Sequence, residues 1–226
     1  MRKWGVVISV FYAAVVLVIL FPLVFGPLAA GGWPYTGNFL KGLVGFYQAD
    51  WFVWIPIAIL LPGQAILLFL SVDTSFKKLR PRAHVALTSA VAATLFALLA
   101  LLAIWSIDSA ARGDNFGNGY SDTVVKFLGF CVGLWLLWGI IFYLYARNLT
   151  QVVTHAVSWL LKGSVLELLI AVPCHIIVRR RNDCSAPAVT SFGIVTGIAV
   201  MLLSFGPSVL LLYKKRLDEY AERKAR

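Results

Sequence analysis

Residues 162–184 read KGSVLELLIAVPCHIIVRRRNDC. The apolar run is long enough for a membrane-spanning helix, which needs about 20 such residues. Yet it carries Glu167 near its middle, Pro173, Cys174 and His175 further along, and Arg179, Arg180 and Arg181 at its end. A charge at the bilayer centre costs about 2.5–3.5 kcal/mol even on lenient insertion scales. Glu167 is therefore expected to face protein, water or a partner rather than lipid. Ser164, Glu167, Ala171, Cys174, His175 and Arg179 recur in steps of three and four, which puts them on one side of a helix. Pro173 removes a donor from the helical ladder and allows a kink.

Working outward, the composition makes lipid the solvent for the rest of the chain. Of 226 residues, 60% are hydrophobic and 13% charged, with a mean hydropathy of +0.84. A soluble domain has about 25% charged residues and 45–50% apolar ones. Six segments reach spanning length, at about 5–26, 52–72, 83–106, 124–146, 154–178 and 189–213. Backbone groups in lipid must bond internally, and no strand alternation suggests a barrel, so each is expected to be helical. The fold class is an all-α, polytopic helical bundle forming a single transmembrane domain without a soluble one. The first segment follows Arg2 and Lys3 and is longer than the 7–15-residue apolar core of a signal peptide, so it reads as a retained helix.

The formal charge of +10 reads as topology, not as a nucleic-acid surface. With the N-terminus cytoplasmic, thirteen of the twenty basic residues fall inside. They include Arg2, Lys3, Lys77, Lys78, Arg80, Arg82 and the cluster from Lys214 to Arg226. Excess Lys and Arg marks the cytoplasmic side. The expected location is a cell (inner) membrane, with both termini cytoplasmic. Six basic residues fall outside, and three of them are the Arg179–Arg181 run. Those arginines are expected to touch lipid phosphates, or acidic groups of a partner, substrate or cofactor.

Two loops are long, at about 27–51 and 107–123. The first holds Trp33, Tyr35, Phe39, Phe46, Tyr47, Trp51 and Phe52, and reads as lying on the membrane interface or on a partner. Asp114 to Gly119 in the second is turn chemistry. The last span carries a small-residue stripe, Thr190, Gly193, Gly197, Ser204 and Ser208. Gly193 and Gly197, four apart, permit close helix packing. Spans five and six are thus expected to pack tightly, with Glu167 shielded between helices. The simplest state for Glu167 is a neutral carboxyl bonded to a neighbouring backbone group or hydroxyl; a proton, ion or ligand site is the alternative.

Cysteine and histidine give weaker signals. Cys174, His175 and Cys184 bracket the arginines without a recognisable metal-ligand spacing. Inert packing, a Cys174–Cys184 disulfide on an oxidising face, and a metal or haem site all fit. His84 and His155 fall at similar depth near helix ends, the minimum for a haem pair. Cofactor identity stays open, with lipid expected. No nucleophile elbow, HExxH, P-loop or dinucleotide fingerprint occurs.

Pro62-Gly-Gln64 in span two and Pro173-Cys-His175 in span five occupy corresponding places in two inverted halves. Interrupted helices at such places point to transporter sites. Three functions follow. The first is a non-catalytic accessory subunit or assembly factor of a larger membrane complex, favoured by the absence of catalytic motifs and of a soluble domain. The second is a small dimeric transporter or channel with Glu167, Gln64 and His175 on its path. The third is a redox or metal-handling protein using Cys174, His175 and Cys184. Expected partners are lipid and other membrane subunits.

Overall fold

The computed structural model describes the backbone of residues 2–30, 39–49, 53–74, 82–115, 124–146 and 152–225, and side chains within 5–30, 41–48, 53–69, 85–115, 129–145 and 153–206. Those residues form helices α1 (Arg2–Ala14), α2 (Gly26–Ala30), α3 (Phe39–Ala49), α4 (Trp54–Thr74), α5 (Arg82–Arg112), α6 (Val124–Ala146), α7 (Val152–Arg180) and α8 (Ala186–Ala225). A π-helical stretch, Val15–Phe25, joins α1 to α2, and a 3-10 turn, Gly113–Asn115, follows α5. The fold is an all-α membrane helical bundle, and no strand occurs among the described residues.

Four helical stretches are long and apolar enough to cross a membrane: Gly5–Ala30, Val85–Asn115, Val153–Arg180 and Ala186–Gly206. α4 and α6 coincide with the other two expected spans, with shorter apolar windows at Trp54–Phe69 and Gly129–Tyr145. Side-chain contacts fix their directions. Gly5 of α1 lies against Leu68 near the end of α4, and Gly206 of α8 lies against Ile8 and Leu68. Tyr145 near the end of α6 packs on His155 near the start of α7. Successive long helices therefore alternate in direction.

Two aromatic clusters lock the bundle. Phe21, Phe25, Phe46 and Phe192 tie the π-helical stretch to α3 and α8 through edge-on pairs 5.8–6.1 Å apart. Phe96, Trp138, Phe142 and Trp159 tie α5 to α6 and α7. Such pairs add about 0.5–1.5 kcal/mol each beyond the area they bury. Between the clusters, Leu95, Leu99, Leu160, Val200 and Leu203 form a continuous apolar core.

The first long loop departs from the interfacial reading. Its residues 39–49 are α3, and Phe46 is fully buried. The Tyr47 hydroxyl donates to the Leu17 carbonyl at 2.6 Å, halfway along the first span. The π-helical geometry supplies the reason: five residues on from Leu17 stands Pro22, which has no N–H, so that carbonyl is open to an outside donor. Trp33, Tyr35, Trp51 and Phe52 lie outside the described residues, as does the end of the turn sequence at 116–119. The expected helix interruptions are absent. α4 runs through Pro62 and α7 through Pro173. Both prolines are exposed.

Candidate functional site

α7 and α8 form an antiparallel hairpin whose turn follows from its sequence. Asn182 takes φ +57°, and the N–H groups of Asn182 and Asp183 donate back to the Arg179 and Val178 carbonyls. This paired closure needs a left-handed residue just past the helix, a place where asparagine substitutes for glycine. α8 is then started from a different part of the chain. Asp114 Oδ2 accepts from the Cys184 N–H at 2.8 Å, and Oδ1 accepts from the Ser185 N–H at 2.7 Å, its hydroxyl at 3.0 Å and the Ala186 N–H at 3.3 Å. A carboxylate so placed satisfies the free N–H groups of a helix start and complements its dipole. These donors, Cys184 N–H foremost, hold Asp114 well below the ordinary carboxylate range, at about 2. Gly113 precedes it at φ +61°, and a Cβ there would press on the Asp183 carboxylate at 3.2 Å.

The arginine run has an internal explanation. Arg179 donates to the Leu28 carbonyl in α2. Arg181 donates to the Ser109 and Ala110 carbonyls of α5 at 3.2 and 2.7 Å, and pairs with Asp183 at 3.3 Å. Three helices that run the same way thus end together, and guanidinium groups satisfy their last carbonyls at the negative ends of their dipoles. From sequence, the three arginines are expected to touch lipid phosphates or acidic groups of a partner, substrate or cofactor; two of them also bond within the chain. Arg180 is exposed.

Behind this arginine end lies Glu167. It is 2% exposed, and neither carboxyl oxygen has a hydrogen-bond partner. The expected bond to a neighbouring hydroxyl or backbone group is therefore not made. The carboxyl lies on α8 where side chains vanish. A Cβ on Gly193 would stand 3.1 Å from Oε1, and one on Gly197 would collide with Oε2. The two glycines open the volume the carboxyl fills. Gly197 lies eleven residues into α8, about 16 Å from its start and near half of a ~30 Å apolar layer.

α5 supplies the third wall. Ser106 Oγ stands 3.0 Å from the same Gly193 Cβ position, so it borders the carboxyl. Ser106 and Ser109, a turn apart, are both 0% exposed, and neither hydroxyl has a partner. A turn along α8 from Gly193 towards the arginines, Thr190 Oγ1 meets His175 Nδ1 at 2.9 Å in a buried pair. Ala171 fills the space between His175 and Glu167 and touches the Gly193 position at 3.4 Å. Polar groups thus continue from Glu167 towards the arginine end. On the other side, the Ser164 hydroxyl donates to the Leu161 carbonyl of its own helix, Thr196 on α8 is buried with its hydroxyl unbonded, and Leu99, Leu160 and Leu203 close the core.

The remaining sequence candidates lie apart. Gln64 is buried in α4, and its Nε2 is 3.8 Å from the Gly206 Cβ position. That is nine residues beyond Gly197, about 13 Å along α8. Cys174 is buried, Cys184 is exposed, and both are free thiols. His155 packs edge-on against Tyr145 at 6.3 Å, while the side chain of His84 lies outside the described residues. Among the described residues no group of three or more His, Cys, Asp and Glu is placed to hold a metal ion. Sequence reasoning missed Ser106, Ser109 and Asp114. Only the three-residue spacing of the two serines on α5 could have marked them.

Compared by sequence with family models and with curated proteins, and by fold with solved structures, the chain matches none of them.

Proposed function

We propose that this chain is an integral membrane protein that relays protons through its helix bundle, with Glu167 as the proton-binding group. One observation carries the reading: a carboxyl sealed in the middle of the bundle bonds to nothing. A polar group kept as structural glue in a membrane earns its place by bonding a second helix. Glu167 makes no such bond, and an unmade bond at a buried polar group costs about 1–3 kcal/mol. Ionisable groups inside membranes characteristically mark proton relays and ion paths. A proton suits this site better than a hard metal cation, which takes six or more oxygen ligands. Of the three atoms nearest the Gly193 Cβ position, one is the carboxyl oxygen, one is Ser106 Oγ and the third is a methyl, that of Ala171.

The charge distribution supports a cytoplasmic location for both termini in an inner membrane, with the arginine end outside. Arg180, exposed there, suits a lipid phosphate. The test is proton flux. Purified protein is reconstituted into liposomes holding a pH-sensitive dye, and a potassium diffusion potential is imposed. The parent is expected to pass protons, and Glu167→Gln to pass them at least tenfold more slowly. Equal flux from equal amounts of both proteins would contradict the proposal.

A second reading, an accessory subunit of a larger membrane complex, is favoured by α6. Its Phe130, Trp135, Leu137, Ile140 and Tyr143 are uncovered within the chain. Copurification of fixed neighbours in mild detergent, lost when Trp135 and Ile140 are changed together to Ala, would support it. A proton relay operates within such a complex as readily as alone.

A further inference from the structure

The surroundings of Glu167 differ sharply along the bundle axis. Towards one end stand leucines and valines of the apolar core, Ser164 bonded into its own helix, and on α8 the buried Thr196, whose hydroxyl has no partner. Towards the arginine end the next groups are hydroxyls with nothing to bond: Ser106 beside the carboxyl, then Ser109 a turn further along α5. The Ser109 carbonyl accepts from Arg181, whose guanidinium is itself partly exposed and paired with Asp183. Polar groups thus lead from the surface towards the carboxyl on the arginine side, and the Thr196 hydroxyl, also buried and unbonded, lies on α8 between Gly193 and Gly197.

Two unbonded, fully buried hydroxyls on one face are costly as packing. Serine in a membrane helix ordinarily returns its hydroxyl to the carbonyl three or four residues back, and Ser191 and Ser204 do so here. Ser106 and Ser109 do not. Their oxygens are therefore free to accept and donate at the same time, which is the property a proton path requires.

We propose that Ser106 and Ser109 form the path by which protons reach Glu167 from the arginine end of the bundle. This rests on the reading of Glu167 as a proton-binding group. With water between the hydroxyls, Ser109 accepts a proton from the outer side and passes its own inward. Ser106 does the same, and the proton ends on a Glu167 carboxyl oxygen. Each hydroxyl breaks one O–H bond and forms one, so neither changes its net charge. The charged and titratable groups around the path are His175 on α7, bonded to Thr190 of α8, and Arg181, Asp183 and Asp108 at its mouth. In this account the two serine hydroxyls pass protons on, and Glu167 alone holds one between steps.

The test is infrared spectroscopy of the full chain in lipid nanodiscs, following the carbonyl stretch of a protonated carboxyl after transfer from H2O to D2O. The band absent from Glu167→Gln belongs to Glu167, and its shift times the arrival of deuterons. Ser106→Ala and Ser109→Ala are expected to slow that shift at least tenfold while leaving its amplitude intact. Ser109→Thr, which keeps a hydroxyl, should restore the parent rate, and Ser164→Ala should not alter it. An unchanged rate in both alanine variants overturns the path and leaves the Glu167 reading standing. Slowing by Ser164→Ala to the same extent overturns it as well, since access would then run from the other end. A parent spectrum without a Glu167 band overturns the underlying reading and the path together.

Discussion

Gly197→Ala should damage this protein through Glu167, and removing the carboxyl should repair most of the damage. The methyl would overlap Glu167 Oε2 and also press on Leu168 Cγ and Cδ2, each 3.1 Å away. α8 has little freedom to retreat. The Tyr12 hydroxyl holds the Ala199 carbonyl at 3.0 Å, and Val195, Ala199, Val200 and Leu203 sit in the core. Overpacking of a tight interior costs about 1–3 kcal/mol, and with obstruction on both sides the upper half of that range is expected. Glu167→Ala frees the volume the new methyl needs. In a double-mutant cycle the pair should then couple favourably by about 1–2 kcal/mol, because the collision exists only while both groups are present. The assay is reversible unfolding or thermal melting in detergent for the parent, both single variants and the double. Gly206→Ala, whose methyl would meet Ile8 Cγ2 at 3.2 Å, is the control and should be additive with Glu167→Ala. Additivity of Gly197→Ala with Glu167→Ala to within about 0.5 kcal/mol would refute the placement of the carboxyl against α8.

Three further outcomes follow from the same geometry. Glu167→Leu should leave stability unchanged or raise it, since no bonded partner is orphaned, and a melting temperature well below the parent's would reveal a partner. Arg181→Gln should weaken the joint between α5 and α7 by about 1 kcal/mol, a charge-assisted bond discounted for the exposure of the guanidinium; hydrogen exchange at the end of α5 should rise. Asp114 is depressed in the folded chain to about 2, so its contribution is complete above the unfolded value near 4 and disappears as pH falls through 2. Melting measured across that window should decline less in Asp114→Asn than in the parent.

The sequence carried the helices and one wall of the site. Apolar runs marked the long helices, and steps of three and four placed Ser164, Glu167, Ala171 and His175 on the face of α7 that meets α8. Gly193 and Gly197 marked the matching surface. The α5 wall left no comparable mark, because serine is tolerated almost anywhere in a helix and its value depends on what lies opposite. The roles of Arg179 and Arg181 were hidden for a different reason. Their partners are backbone carbonyls of Leu28, Ser109 and Ala110, which every residue possesses. Asp114 caps a helix that begins seventy residues later, so no local capping pattern exists. Proline misled in both directions: Pro62 and Pro173 sit in continuous helices, while buried Pro22 lies in the π-helical stretch.

The central claim is that Glu167 takes up a proton inside the bundle. A hydrophobic carbodiimide partitions into membranes and adds to protonated carboxyls there, while leaving ionised surface carboxylates unmodified. Mass spectrometry of protein treated in nanodiscs at neutral pH should locate the adduct on Glu167. Glu167→Gln should carry none, and proton flux through the treated parent should fall in proportion to the modified fraction. An unmodified Glu167, or full modification with proton flux unchanged, would contradict the account.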